Sequence, residues 1–308
     1  MSDLRAYRLR PEETLPDGIA RVARGRIDHA IDELSGATDS APEEAVHTAR
    51  KDIKKLRALL RLIRSGLGKA GFRRENDALR AAAAELAGTR DADVMVATID
   101  TLGLEPTVAG PLRQALEAHR LRTGGGGVGQ AGAPAAEILG EVRARVAGWP
   151  LDGSGFDALE PGLRRTYRRG RQAYRAQRKE VSVEGLHEWR KRGKELWYHH
   201  SLLEFVWKPV MSSVADQAHD LSDRLGDDHD LALLLAWARE NAEAPPELVA
   251  AVASRRAALQ ADAFELGARL YADQPRAFVE RLERWWDASA AEQSAHSPVS
   301  TSSAAAGR

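Results

Sequence analysis

The feature that most restricts the fold of this chain is a basic segment that occurs twice, 140 residues apart. The first copy reads AVHTARKDIKKLRALL (45–60) and the second reads GLHEWRKRGKELWYHH (185–200). Three flanking segments match in the same order: 23–30 with 168–175, 86–95 with 225–234, and 112–120 with 248–256. Four matches in one order indicate that a structural unit has been duplicated.

The spacing of apolar residues predicts that both units are helical. These residues recur three and four positions apart, as in amphipathic helices, and alternating β-branched runs are nearly absent. We therefore predict an all-α fold in which the two duplicated units form a pair of helical bundles that face each other. The predicted helices cover 17–34, 43–65, 72–87, 91–102, 107–122, 135–147, 159–180, 183–207, 210–225, 229–242, 246–272 and 275–287.

Glycine, proline and serine mark the boundaries of the units. We predict one domain over 12–287, with a first helical repeat at 17–147, a linker at 148–157 and a second repeat at 158–287. The glycine-rich segment 123–134 is predicted to be a flexible loop. Residues 288–308 are rich in Ala and Ser and are predicted to form a disordered tail.

The cations of the duplicated segment fall on one side of their helix. At about 100° per residue, Arg50, Lys51, Lys54 and Arg61 lie within roughly 60° of His47, and Arg190, Lys191 and Lys194 repeat the first three angles from His187. The core residues Ile53, Leu56 and Leu60 lie on the opposite side of the first helix. A solvated helix would place acids four residues from these cations to relieve their repulsion. A bound polyanion would explain why an unrelieved basic stripe is present in both copies.

The overall charge conceals this arrangement. The chain has 45 Lys and Arg and 45 Asp and Glu, a net charge of zero, which would normally argue against a polyanion partner. However, eight basic residues and no acid lie in 162–179, whereas six aspartates and a single arginine lie in 216–230. The distribution of charge is therefore more informative than its sum.

Arginine, lysine and histidine offer complementary contacts to phosphate. Arginine supplies a planar bidentate fork, lysine a compact point charge, and histidine a ring N–H whose protonation a nearby anion favours. The chemistry of the stripes is thus that of a phosphate-rich ligand. The charge pattern alone predicts only a polyanion site.

Three motifs together resemble the CHAD domain, the conserved histidine α-helical domain. They are the V/L-H-x-x-R-K-x-x-K helices, RDAD (90–93) and LGDDHDL (225–231), and the resemblance covers about residues 12–287. It implies two pseudo-symmetric four-helix bundles, with supplementary helices, around a central basic cavity that binds inorganic polyphosphate. Many members carry an N-terminal triphosphate tunnel domain with an ExExK strand, a motif that is absent from this sequence. The resemblance therefore implies polyphosphate binding without catalysis.

The resemblance and the repeat together select the candidate site residues. The stripes are the strongest candidates, and basic residues on the preceding helices and on a later helix are weaker ones because their orientation is not fixed by the pattern. The copies differ where Lys55 matches Glu195 and Arg57 matches Trp197, so we expect an asymmetric cavity. The candidate polyphosphate ligands are His47, Arg50, Lys51, Lys54, Arg57 and Arg61; His187, Arg190, Lys191 and Lys194; Arg21, Arg24, Arg26, Arg165, Arg169 and Arg171; and Arg120 and Arg256.

Two alternative functions stay open. The acidic motifs, which contain Asp91, Asp93, Asp227, Asp228, His229 and Asp230, could hold Mg²⁺ or Mn²⁺ in a metal-dependent phosphohydrolase. We favour a structural role for Asp91 and Asp230, at helix starts and beside arginines, and expect no metal and no cofactor. A nucleic-acid-binding helical module is the second alternative, but aromatic residues for base stacking are few beside the stripes.

The sequence also favours a location. It has no cysteine, no apolar run long enough to span a bilayer and no signal-peptide core near the N-terminus. We expect a cytoplasmic protein without a membrane partner. Polyphosphate binding would be compatible with association with polyphosphate granules.

Overall fold

The computed structural model describes residues 6–86, 90–123, 128–151, 153, 155–241 and 244–296. These residues form eleven α-helices and three short 3₁₀ turns, and none of them lies in a β-strand. The prediction of an all-α fold is confirmed. The helices are α1 (Leu15–Leu34), α2 (Pro42–Leu62), α3 (Arg64–Glu85), α4 (Arg90–Asp100), α5 (Pro106–Thr123), α6 (Val128–Arg145), α7 (Glu160–Lys179), α8 (Val183–Leu202), α9 (Lys208–Asn241), α10 (Pro246–Leu270) and α11 (Pro275–His296).

Local signals explain where several helices begin. The Thr14 hydroxyl accepts a hydrogen bond from the backbone N–H of Asp17 at the start of α1, and Ser182 does the same for Gly185 at the start of α8. Proline is the first residue of α2 and of α10, where its missing N–H is not needed. Of the two helices that carry the basic stripes, α8 thus begins at a serine cap and α2 at a proline.

The helices pack in two groups that meet at α2. Helices α1, α2, α3 and α6 pack together, as do α7, α8, α9 and α10, with α11 against α7. Helix α2 contacts both α7 and α8, which brings the two stripe helices together. One large apolar core runs through both groups, and its fully buried side chains include Ile53 and Trp189.

A second, smaller core joins the two parts of the chain. Helices α4 and α5 pack on each other, and α4 packs on α9. Their buried side chains, among them Met95, Ile99 and Leu116, form a cluster with Leu234 and Trp237 of α9. Helix α4 is thereby held against α9 near the stripe of α8.

Several predicted elements differ from the structure. Helix α3 begins at Arg64, eight residues before the predicted start at 72, and α2 ends at Leu62. The predicted helices 210–225 and 229–242 are joined in one continuous helix, α9 (Lys208–Asn241), so Asp230 lies in its interior and does not start a helix. Helix α6 begins at Val128 inside the predicted loop 123–134, and its Gly132 packs closely on Leu34 of α1. Helix α11 continues to His296, so residues 288–296 of the predicted tail are helical.

Candidate anion-binding cavity

A cavity of about 610 Å³ lies among α2, α4, α8 and α9. Its wall includes basic residues from both stripe helices, a histidine and an aspartate from α9, and apolar residues from α4 and α9. The lining residues are Arg50, Lys54, Arg57, Arg61, Val94, Met95, His187, Glu188, Arg190, Lys191, Arg192, Lys194, Glu195, Tyr198, His229, Asp230 and Leu233.

The cavity brings together eight of the ten residues predicted from the two stripes. Helix α2 supplies Arg50, Lys54, Arg57 and Arg61, and α8 supplies His187, Arg190, Lys191 and Lys194. Among the described residues, His47 and Lys51 lie on α2 but are not part of this lining.

A buried histidine holds α8 against α2. The Nε2 atom of His199 lies 3.0 Å from the backbone oxygen of Ala58, which can only accept, so this nitrogen donates. The side chain is 1% exposed, and burial lowers its pKa to about 4. His199 is thus a neutral interhelical donor at neutral pH.

Cations outnumber carboxylates in the described lining. Eight arginine and lysine side chains face three carboxylates, an excess of five positive charges. Burial and repulsion from Arg61 and Arg80 lower the pKa of Arg57 to about 10, and burial also lowers that of Arg61. Such crowding of like charges is unfavourable in the empty cavity and would be relieved by an anion.

Two of the carboxylates are already engaged with arginines. Glu195 accepts two hydrogen bonds from Arg192, at 2.7 and 2.8 Å, and lies 3.1 Å from Nε of Arg61. Glu188 accepts from Nε of Arg192 at 2.9 Å. These acids stabilise the arginine side chains, and Glu195 is the position at which the second copy differs from Lys55 of the first.

Arg190 lies against α9 because position 226 is glycine. A Cβ at Gly226 would lie 2.6 Å from Nη2 of Arg190 and 2.9 Å from its Cζ. The Nε of Arg190 is buried without a hydrogen-bond partner among the described residues. The motif LGDDHDL therefore has a glycine where the guanidinium group of Arg190 passes over the helix.

Two histidines face each other at the same place. The rings of His187 and His229 are 4.2 Å apart between centroids and meet at 63°, and both Nδ1 atoms are buried without a partner among the described residues. Burial, with the neighbouring His229, Lys191 and Arg190, lowers the pKa of His187 to about 4. At neutral pH His187 is neutral in the empty cavity.

Asp228 of the acidic motif on α9 has a structural role. Asp228 is 1% exposed and accepts from Nε of Arg256 at 2.9 Å and from the amide of Gln260 at 2.7 Å. This interaction joins α9 to α10. Among the described residues, no group of three or more His, Asp or Glu side chains is arranged to hold a metal ion.

A comparison with models of protein families shows to which family the chain belongs. The model of the CHAD domain matches residues 21–239, which is most of the chain and includes both stripes. The chain belongs to the CHAD domain family.

A solved CHAD structure has the same fold. The crystal structure of the CHAD domain from the plant Ricinus communis superposes with a TM-score of 0.58 and 18% identity, over 89% of this chain and 94% of that chain. No match was found among curated proteins. No helix in the described ranges combines the length and the hydrophobicity that crossing a bilayer requires.

Several weaker candidates have protein partners in this CHAD domain. Arg21 donates to Glu13 at 2.8 Å, and Arg26 donates to the buried Asp52 at 3.1 Å. Arg171 donates to the backbone oxygen of Tyr271 at 3.1 Å. The interaction of Arg26, like that of Arg256, ties two helices together, and that of Arg21 holds the segment before α1. None of these four residues is part of the described lining.

The other weaker candidates are also outside this lining. Arg24 is half-buried on α1, and Arg120 is exposed on α5, 3.3 Å from Glu117. Arg169 lies 3.6 Å from Glu188, so it is next to the cavity, and Arg165 lies one turn earlier on α7. The side chains of Asp91 and Asp93 lie outside the described residues.

Sequence reasoning missed part of the cavity wall. Arg192, Glu188 and Glu195 were not predicted as site residues, and they form the ion-pair network inside it. Their spacing of three and four residues on α8 is a signal of mutual pairing that could have been used. His229 was considered only as a metal ligand, because its proximity to His187 depends on tertiary packing.

Proposed function

We propose that this CHAD domain binds inorganic polyphosphate in the cavity and does not transform it. The observation that carries the proposal is the convergence of cations from α2 and α8 on one cavity, with an excess of five positive charges in its described lining. Arginine forks and lysine ammonium groups are suited to the repeated anionic oxygens of such a chain. The CHAD family is linked to polyphosphate binding in general, which agrees with this chemistry.

Unpaired donors and acceptors in the cavity support the same ligand. Nε of Arg190 and the Nδ1 atoms of His187 and His229 are buried and lack partners among the described residues. A buried polar group without a partner is costly, so a ligand that contacts all three would recover that cost. Phosphate oxygens can accept from Arg190 and from either ring once it is protonated.

The contacts of the two matching arginines favour a pseudo-symmetric cavity at the centre of the domain. Arg50 donates to the backbone oxygen of Leu86 at 3.1 Å, and Arg190 lies over Gly226. Leu86 aligns with Leu225, the neighbour of Gly226, in the duplicated sequence. The equivalent arginine of each copy thus contacts the equivalent segment.

The cavity chemistry also favours binding over hydrolysis. Glu188 and Glu195 are held by Arg192 and Arg61, so neither is placed as an unpaired base. A basic cavity of this kind stabilises an anion without supplying a nucleophile. We propose a cytoplasmic polyphosphate-binding protein, compatible with association with polyphosphate granules.

The test is a double charge reversal of the stripe lysines. Lys54→Glu with Lys194→Glu converts the excess of positive charge in the cavity to near neutrality, and we expect titration calorimetry to detect no polyphosphate binding. Lys69→Glu with Lys208→Glu changes the net charge equally at exposed positions and should retain affinity. Wild-type affinity in the cavity variant would refute the site.

Two further measurements separate the alternatives. Phosphate release from polyphosphate with Mg²⁺ or Mn²⁺ should be absent, and turnover would replace binding by hydrolysis as the function. Binding should weaken with salt as counterions are released, and RNA should compete poorly. Equal competition by RNA would favour the nucleic-acid alternative.

A further inference from the structure

A second cationic cluster lies where α7 crosses the end of α2. A Cβ at Gly162 would lie 1.9 Å from the backbone oxygen of Leu62, so the two helices touch at these residues. Arg64 follows Leu62 by two residues, and Arg165 follows Gly162 by three. The crossing therefore places these two arginines side by side.

The cluster contains four arginines that act on each other. Burial lowers the pKa of Arg165, and repulsion from Arg64, Arg168 and Arg169 lowers it further. Nη1 of Arg165 is buried and has no hydrogen-bond partner among the described residues. The arrangement is unfavourable without an anion, because like charges lie close together and a buried donor has no hydrogen-bond acceptor among the described residues.

Acids do not neutralise most of this cluster. In the described part of the chain, Arg64, Arg165 and Arg168 form no ion pair, whereas Arg164 on the same helix lies 3.3 Å from Glu160. Arg64 instead lies over the ring of Phe72, 4.7 Å from its centroid. An ordinary solvated surface would show the kind of pairing that Arg164 has.

The cluster is continuous with the cavity. Arg169 lies 3.6 Å from Glu188, which lines the cavity, and repulsion from Arg169 contributes to the lowered pKa of Arg61, another lining residue. The cations Arg61, Arg169 and Arg165 thus follow one another from the cavity to the cluster, with Glu195 beside Arg61 and Glu188 beside Arg169. A linear polyanion longer than the cavity would find its next cations here.

We propose that Arg64, Arg165, Arg168 and Arg169 form a second subsite that binds the segment of a long polyphosphate chain leaving the cavity. This inference rests on the proposed function of the cavity. It adds a determinant of chain-length preference: short chains use the cavity alone, and long chains use both sites.

The test compares tripolyphosphate with long-chain polyphosphate on Arg64→Gln with Arg168→Gln. We expect the affinity for long chains to fall about tenfold or more and the slope of log affinity against log salt to decrease by about two, one for each lost contact. The affinity for tripolyphosphate should change less than about twofold, because the cavity is intact. Arg269→Gln with Arg276→Gln, an equal charge change at exposed positions, should leave both affinities unchanged.

The outcomes separate the two proposals. If Lys54→Glu with Lys194→Glu abolishes tripolyphosphate binding but Arg64→Gln with Arg168→Gln binds long chains normally, the second subsite is refuted and the cavity stands. If wild-type protein binds neither polymer, both proposals fail. If RNA displaces long-chain polyphosphate only when the arginine cluster is present, the cluster is a nucleic-acid site and the assignment to polyphosphate is wrong.

Discussion

Replacing Gly226 by alanine should separate stability from ligand affinity. Gly226 lies inside α9, where alanine is favoured over glycine by about 0.5–1 kcal/mol. The new Cβ would lie 2.6 Å from Nη2, 2.9 Å from Cζ and 3.1 Å from Nε of Arg190. These atoms are the mobile end of a long side chain, so the guanidinium group moves while the backbone of α9 does not.

The expected loss of affinity follows from the displacement of Arg190. A hydrogen bond between charged groups contributes roughly 1.5–3 kcal/mol, so the loss of one arginine–phosphate contact should weaken binding by about 10–100-fold. The midpoint of thermal unfolding should stay equal to that of the wild type or increase. This combination differs from that of a core mutation, which lowers stability and affinity together.

The assay pairs calorimetric titration of polyphosphate with thermal unfolding followed by circular dichroism. Arg190→Gln serves as the matched variant, because it removes the same guanidinium group without adding a Cβ to α9. The double variant should bind no more weakly than Arg190→Gln alone, since both changes act on one contact. Unchanged affinity in Gly226→Ala, or a fully additive loss in the double variant, would refute the proposal that Gly226 positions the guanidinium group of Arg190 for the ligand.

Three other outcomes are expected. First, the affinity for polyphosphate should increase as the pH falls from about 7 to 5.5, because a bound polyanion raises the pKa of His187 from its value of about 4 without ligand. The uptake of one proton can increase the affinity by at most about tenfold per pH unit, and His187→Gln should flatten this dependence. Second, the free energy of unfolding should be constant above about pH 6.5 and decrease towards pH 4, because His199 and His200 have folded-state pKa values of about 4 and bind protons more readily when unfolded. Each histidine should lower the free energy of unfolding by about 3 kcal/mol at pH 4. Urea unfolding at several pH values would refute this if the free energy stayed constant over that range. Third, Asp228→Asn should destabilise the protein by about 1–3 kcal/mol, since the partly buried Arg256 on α10 loses its counter-charge, and a denaturant midpoint equal to that of the wild type would contradict it.

The sequence predicted the helices and the stripes because both depend on local periodicity. The cations of α2 and α8 recur at helical spacing opposite core residues such as Leu56 and Leu196, which are 1% and 3% exposed. A helix with one apolar face and one charged face has only one way to orient itself against a core. The faces of α2 and α8 were therefore predictable without any knowledge of their neighbours.

The roles of individual arginines were not predictable, because they depend on partners far away in the chain. Arg26 and Asp52 are 26 residues apart, and Arg256 and Asp228 are 28 apart. The sequence contains enough acids to pair with many arginines, and nothing local selects the buried ones. The same limit applies to His229, whose contact with His187 exists only because α8 packs on α9.

The continuous helix α9 was missed for a related reason. Aspartates 227, 228 and 230 beside a glycine are typical of a helix start, because their side chains can cap exposed N–H groups. In the structure the carboxylate of Asp228 is committed to α10, and the apolar residues Leu231 and Leu234 continue the core face of the helix. Tertiary pairing therefore overrides the local preference.

The order of residues in LGDDHDL fits the packing of α9 against two helices, α8 and α10. At about 100° per residue, Gly226 and His229 lie about 60° apart on one side of the helix, and Asp228 lies about 160° from Gly226 on the other. The first side faces α8, where the glycine admits Arg190 and the histidine meets His187. The second side faces α10, where Asp228 binds Arg256 and Gln260. Asp228 therefore anchors α9 without neutralising the cations of the cavity that would bind the proposed ligand.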